Sequence, residues 1–224
     1  MRDLRTDPLP QPTAPRGEWP LTGSVKPYRR HAFACTGDDA WPARLEDAAG
    51  LLGTMARETR DLRERADVEA SPKLTATDEP SAGPGIDLLV FPEALRYRVA
   101  DQTSWRIVLR DQLLGGAPAR VESEPLPGRH VFVCVHAARD ERCGRCGPPL
   151  LVAVREAVAA AGLDDVTVRA TSHVGGHKYA GNLLIYPEGV WYGYVRPADA
   201  ARLVDEHLVR GRVLADLHRG TMLA

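Results

Sequence analysis

The chain of 224 residues has almost no net charge, few cysteines and no long hydrophobic run, and each shortage excludes something. No apolar stretch approaches the roughly 20 residues that span a bilayer, so no membrane segment is expected. A formal charge of −1 and a pI near 6.7 give no electrostatic case for nucleic acid or an anionic membrane. Lysine occurs only at Lys26, Lys73 and Lys178, and the arginine-rich remainder reads as coding bias rather than chemistry. The opening residues, Met1 to Pro10, lack the apolar core and cleavage site of a secretory signal, so a cytoplasmic protein is expected. Neither a dinucleotide G-x-G-x-x-G fingerprint nor a P-loop is present.

The cysteines are Cys35, Cys134, Cys143 and Cys146. The last three crowd into one short segment, a poor layout for a disulfide framework but a normal one for metal or redox work in a reducing compartment.

An internal repeat sets the expected architecture. Arg30-His-Ala-Phe-Ala-Cys35 matches Arg129-His-Val-Phe-Val-Cys134, and Leu88-Leu-Val-Phe-Pro-Glu matches Leu183-Leu-Ile-Tyr-Pro-Glu. Order and spacing agree between the halves. In each, a short strand ends at the cysteine and a helix follows, over 41–67 in the first half and 148–161 in the second. A further strand is expected at 166–170, then a hairpin of 183–186 with 190–195 around Gly189. Helices over 103–114 and 197–208 close the halves, the second starting at Pro197.

This order predicts an α/β protein of two tandem thioredoxin-like domains, a degenerate one over 29–120 without cluster ligands and a second over 121–215. Residues 1–28 and 216–224 read as tails, and 68–85 as a long loop.

The chemistry concentrates in the second domain. Cys134 ends a strand, Cys143 is expected in the loop before the helix, and His173 and His177 flank Gly175-Gly176 in a loop before the next strand. In this topology the two loops are neighbours, so four side chains can converge. Two thiolates with two imidazoles suit zinc or an iron–sulfur cluster and suit magnesium or calcium poorly. Lys178, Arg139 and Arg142 offer positive charge nearby, Asn182 a means of orienting a ligand, His136 a supporting contact, and Trp191 and Tyr192 either a docking edge or core. His31 and His130 recur at strand starts and read as structural.

Three other readings stay open on the residues alone. Cys143-Gly-Arg-Cys146 is a C-x-x-C at a helix start, as in thiol–disulfide oxidoreductases, although that role leaves Cys134 and both histidines unused. Cys143, Cys146, His173 and His177 have pair spacings acceptable for structural zinc. A pure interaction module would bury them all unligated.

Cys134-x8-Cys143 followed by His173-Val-Gly-Gly-His177-Lys-Tyr-Ala-Gly-Asn-Leu-Leu-Ile-Tyr-Pro187 resembles the sucrase/ferredoxin-like family of thioredoxin-fold [2Fe-2S] proteins. The resemblance implies a [2Fe-2S] cluster held by Cys134, Cys143, His173 and His177. It implies an electron carrier rather than a stand-alone enzyme, served by a redox partner protein. Imidazole in place of thiolate raises the potential, with Rieske centres at roughly −150 to +300 mV against about −400 mV for plant-type ferredoxins. Reduction then couples to protonation of the ring's free nitrogen, so the midpoint potential should fall as pH rises from about 6 to 9. Potentiometry across that range checks it; a flat line removes the proton coupling.

Overall fold

The computed structural model describes residues 19–65 and 71–223. The first half contains β1 (His31–Cys35), α1 (Gly50–Arg65), β2 (Lys73–Thr77), β3 (Ile86–Phe91), β4 (Leu95–Val99), α2 (Gln102–Ile107, continuing as a π-helical segment to Leu114) and β5 (Ser123–Pro125). The second contains β6 (Arg129–Cys134), α3 (Glu141–Ala160), β7 (Val166–Thr171), β8 (Leu183–Tyr186), β9 (Val190–Tyr192), α4 (Ala200–Leu203, continuing to Val209) and β10 (His218–Thr221). The protein is mixed α/β.

All ten strands belong to one sheet, ordered β10-β9-β8-β6-β7-β2-β1-β3-β4-β5. Only β1/β2 and β6/β7 are parallel, each pair joined through a helix, α1 or α3. The halves meet at β2/β7, where the ladder is reduced to Thr77 opposite Thr171. Side chains complete that seam. Thr171 Oγ1 donates to the Ala76 carbonyl at 2.9 Å, Thr77 Oγ1 to the Ala170 carbonyl at 2.8 Å, and Ser172 Oγ accepts from the Ala76 N–H at 2.9 Å.

Strand alternation explains how the sheet packs. Ala32, Ala34, Leu88 and Val90 face α1 and α2, while Val131, Val133, Leu183 and Ile185 face α3 and α4. The alternate residues Phe33, Phe91, Phe132, Leu184 and Tyr186 share one inner core. Phe33 and Phe132 stack with centroids 3.7 Å apart, and Phe91 and Tyr186 at 4.6 Å. On a flat sheet β1 and β6 would lie about 14 Å apart, and β3 and β8 about 24 Å. The sheet therefore doubles over at the seam, and the inner faces of the two halves pack against each other.

Several expectations change. Strand β2 occupies part of the expected long loop, because Lys-Leu-Thr-Ala-Thr lacks an apolar run and draws its stability from neighbours on both sides. Residues 68–70 of that loop lie outside the described residues, as do 66–67 at the expected end of the preceding helix and residues 1–18 of the expected tail. Within the rest of that tail, Tyr28 is buried in the inner core. The C-terminal stretch forms β10 with Arg219 buried, rather than a tail, since pairing with β9 satisfies its backbone. Helix α3 begins at Glu141, seven residues before Pro148. Asp140 caps it by accepting from the Arg142 N–H at 3.0 Å.

Phe33→Ala should cost about 3–5 kcal/mol in urea unfolding, as for deletion of a buried aromatic. Adding Phe132→Ala should cost less than the sum of the single changes by about 0.5–1.5 kcal/mol, because the pair stacks across the halves.

Candidate metal centre

The parallel pairing of β6 with β7 places Cys134 beside Thr171, so the chain leaving β7 passes the end of β6. Helix α3 returns over the same edge and comes unusually close: a Cβ on Gly147 would overlap the Cys134 carbonyl. That approach carries Cys143, in the first turn of α3 rather than in a preceding loop, to the end of β6. The Cys134, Cys143 and His173 donor atoms lie within 4.8 Å of one another, and Cys143 Sγ is 3.7 Å from His173 Nδ1. Both thiols are almost wholly buried, and His173 is half-buried.

The pair is electrostatically divided. A hydrogen bond from the Cys143 thiol holds Cys134 well below the usual thiol range, outweighing burial, and His173 assists. Cys143 is pushed far up by that same bond, by burial and by the Cys134 charge. A metal bound by both sulfurs would take the place of the proton between them.

His177 stands apart from this trio. Its Nδ1 lies 3.2 Å from Asp140 Oδ2, its side chain is 47 % exposed, and its ring centroid is 5.7 Å from that of His173. Arg142, hydrogen-bonded to Asp140, holds that carboxyl down to about 2, so a carboxylate faces the imidazole. Cys146, buried one turn further along α3, falls outside the trio, and burial pushes its thiol up.

The supporting contacts come partly from the first half. The His173 N–H donates to His136 Nδ1 at 3.1 Å, so His136 carries its proton on Nε2, facing the Pro42 carbonyl at 3.1 Å and that of Trp41 at 3.3 Å. Asn182 donates to the Gly176 carbonyl at 3.1 Å and accepts from Arg219 Nη1 at 2.7 Å. Arg219 has no ion pair among the described residues. Burial pushes its guanidinium down to about 10, against the upward pull of Tyr179, Cys134 and Cys143. No local pattern marks Arg219, which lies within the expected C-terminal tail, whereas Asp140 before Glu-Arg carries a helix-cap signal.

The other candidates resolve simply. The Lys178 ammonium sits 4.5 Å from the Trp19 ring centroid, while Trp191 and Tyr192 are core rather than a docking edge. His31 is buried between Tyr186 and Thr75, and His130 Nδ1 meets Arg169 at 2.9 Å, both structural.

The molecule is thus a folded-over α/β sheet with a buried cluster of Cys and His side chains, a candidate metal site, at the end of a parallel strand pair. The chain belongs to the sucrase/ferredoxin-like family, whose model matches residues 21–220. It is similar to altered inheritance of mitochondria protein 32 of Debaryomyces hansenii, 40% identical over 95 residues, which are 40% of this chain and 34% of that one. The match in Clavispora lusitaniae is 40% over 106 residues, covering 46% and 38%. In Kluyveromyces lactis it is 26% over 256 residues, covering 90% and 77%. The chain thus spans well under half the length of the first two of these relatives. Among solved structures, a thioredoxin-like [2Fe-2S] ferredoxin from Aquifex aeolicus is 25% identical with a TM-score of 0.36, over 42% of this chain and 93% of that one.

The loop between His173 and His177 depends on a close approach. Gly176 has φ +74°, and a Cβ there would run into the Arg219 guanidinium. Gly175, at φ +96°, has open space around it. Gly175→Ala should therefore cost only the backbone term, about 1–2 kcal/mol. Gly176→Ala should cost more and should speed proteolysis at 173–178; equal effects would show that Arg219 does not clasp the loop.

Proposed function

We propose that the protein is an electron-transfer iron–sulfur protein that holds a [2Fe-2S] cluster through Cys134, Cys143, His173 and His177. The observation that carries this reading is the convergence of Cys134, Cys143 and His173 within 4.8 Å in a chain of the sucrase/ferredoxin-like family. When bound, the cluster supplies one-electron chemistry. The chain's own residues fit such a group. The sulfurs are buried against an apolar inner face that excludes water, and Arg219 brings a buried positive charge to offset thiolate. Asp140 faces His177 Nδ1, which leaves Nε2 as the free donor. The half-exposed His177 marks the edge where a redox partner protein would approach, and it is also where proton exchange with solvent belongs.

Each half is read as a thioredoxin-like unit, since the strand orders β2-β1-β3-β4-β5 and β7-β6-β8-β9-β10 correspond. The first unit has no counterpart of the histidine pair and serves as support. A reducing, cytoplasmic setting suits four free cysteines. Among the described residues no helix is long and apolar enough to cross a membrane.

Zinc in the same donors is the second reading. The 3.7 Å separation of Cys143 Sγ and His173 Nδ1 is close to the roughly 3.5 Å that a single tetrahedral ion with bonds of about 2.3 and 2.0 Å would give. A thiol–disulfide role is disfavoured, because Cys143 and Cys146 are both buried with raised thiol pKa values, the reverse of an attacking thiol.

Protein purified without oxygen should be brown, absorb at about 400–550 nm and contain about two irons and two sulfides per chain. His177→Ala and Cys143→Ala should lose the colour, whereas Cys146→Ala should keep it. Colourless protein with one zinc would move the assignment to the single ion.

A further inference from the structure

A cavity of about 590 Å³ opens between the halves, bounded by the face of α1, the chain before it, and the segment from His136 to Arg139. His173 forms part of its wall. Its charge is uneven. Two carboxylates line it, Glu46 and Glu64, and Arg60 engages both, at 3.9 and 2.8 Å. Arg44 turns to Asp47, outside the lining, at 4.0 Å. The remaining cations, Lys26, Arg63 and Arg139, have no ion pair among the described residues, and they stand on three different segments around the same space.

The excess of positive charge continues beneath the floor. The Lys73 ammonium lies over the rings of Tyr28, at 5.3 Å, and Trp191, at 5.1 Å, and has no ion pair among the described residues. Burial, with repulsion from Arg63, Arg219 and Lys26, pushes its pKa down to about 7. Cations gathered round a concavity whose carboxylates are already engaged by Arg60 repel one another. Solvent screens such repulsion poorly between low-dielectric walls, whereas an anion in the space relieves it.

We propose that this cavity is a binding site for a small organic polyanion, a molecule carrying two or more carboxylate or phosphate groups, held by Lys26, Arg63 and Arg139. The volume lies in the range of small-molecule sites and is too confined for a protein surface. The two arginines suit bidentate contact with planar or tetrahedral oxyanions, and Lys26 suits a point contact. Because no metal takes part in the contacts, the site stands apart from the cluster reading. An occupant would nonetheless touch His173, so the site adjoins the proposed centre without sharing its donors.

The test is thermal unfolding and calorimetric titration of the full chain with fructose 1,6-bisphosphate and with tricarballylate, each against chloride at equal ionic strength. At a hundredfold excess over Kd the melting temperature should rise by about 5–10 °C. Arg63→Glu and Lys26→Glu, both at exposed positions, should each weaken binding about tenfold or more, the loss of one charge-assisted contact. Arg120→Glu makes the same change in net charge outside the cavity and should leave binding unaltered. A rise with the bisphosphate alone supports a phosphate site, one with the tricarboxylate alone a carboxylate site, and one with both a general polyanion site. No rise beyond chloride, or equal weakening by Arg120→Glu, overturns the proposal. Iron and zinc assayed in the same samples report on the cluster reading independently.

Discussion

The stacked aromatic layer between the two halves of the sheet is the contact on which the rest depends. Phe33 against Phe132 and Phe91 against Tyr186 hold together strands that a flat sheet would keep far apart. With the sheet doubled over, the β2/β7 seam needs little ladder of its own, and threonine and serine hydroxyls join a few backbone bonds, such as Ser172 N–H to the Ala76 carbonyl at 2.9 Å, in closing it. His31 ties the layer internally, meeting the Tyr186 hydroxyl on one ring nitrogen and Thr75 on the other. The same fold puts Cys35 and Cys134 on the inner face, where their environments differ: burial pushes the Cys35 thiol up to about 12, while Cys134 has a neighbouring thiol and imidazole to stabilise its anion.

The candidate centre is therefore a product of both halves, although every candidate ligand lies in the second. His136 hands the main chain of His173 to the carbonyls of Trp41 and Pro42, which belong to the segment leading into α1. Arg219, from the last strand, clasps the glycine loop through Asn182 and brings a positive charge towards two buried sulfurs. A buried guanidinium without a carboxylate is costly unless the region carries negative charge, and a thiolate-bearing site supplies it. The first half thus takes part in holding the loop that carries His173.

Much of this was legible in the residues. The repeated strand motifs ending at Cys35 and Cys134 appear as β1 and β6, and the Leu88 and Leu183 segments as β3 and β8. Legibility stopped where local pattern and tertiary demand diverge. Lys73–Thr77 is a strand without a strand's composition, and Glu141–Gly147 is helical despite two glycines and the prolines that follow. Those glycines oppose helix formation taken alone but are required where α3 meets the end of β6.

The α/β class, the family and a short set of candidate donor residues could be read from the chain alone, because these rest on short-range periodicity and on residue types that few other roles require. Only the tertiary structure decided that Cys134, Cys143 and His173 form one group while His177 pairs with Asp140 and Cys146 stands aside. It alone brought Arg219 and His136 to the loop and gathered Lys26, Arg63 and Arg139 around one cavity. The reason is that such contacts join residues far apart in the chain. Their distances depend on how a ten-stranded sheet bends, and no local pattern encodes that bend.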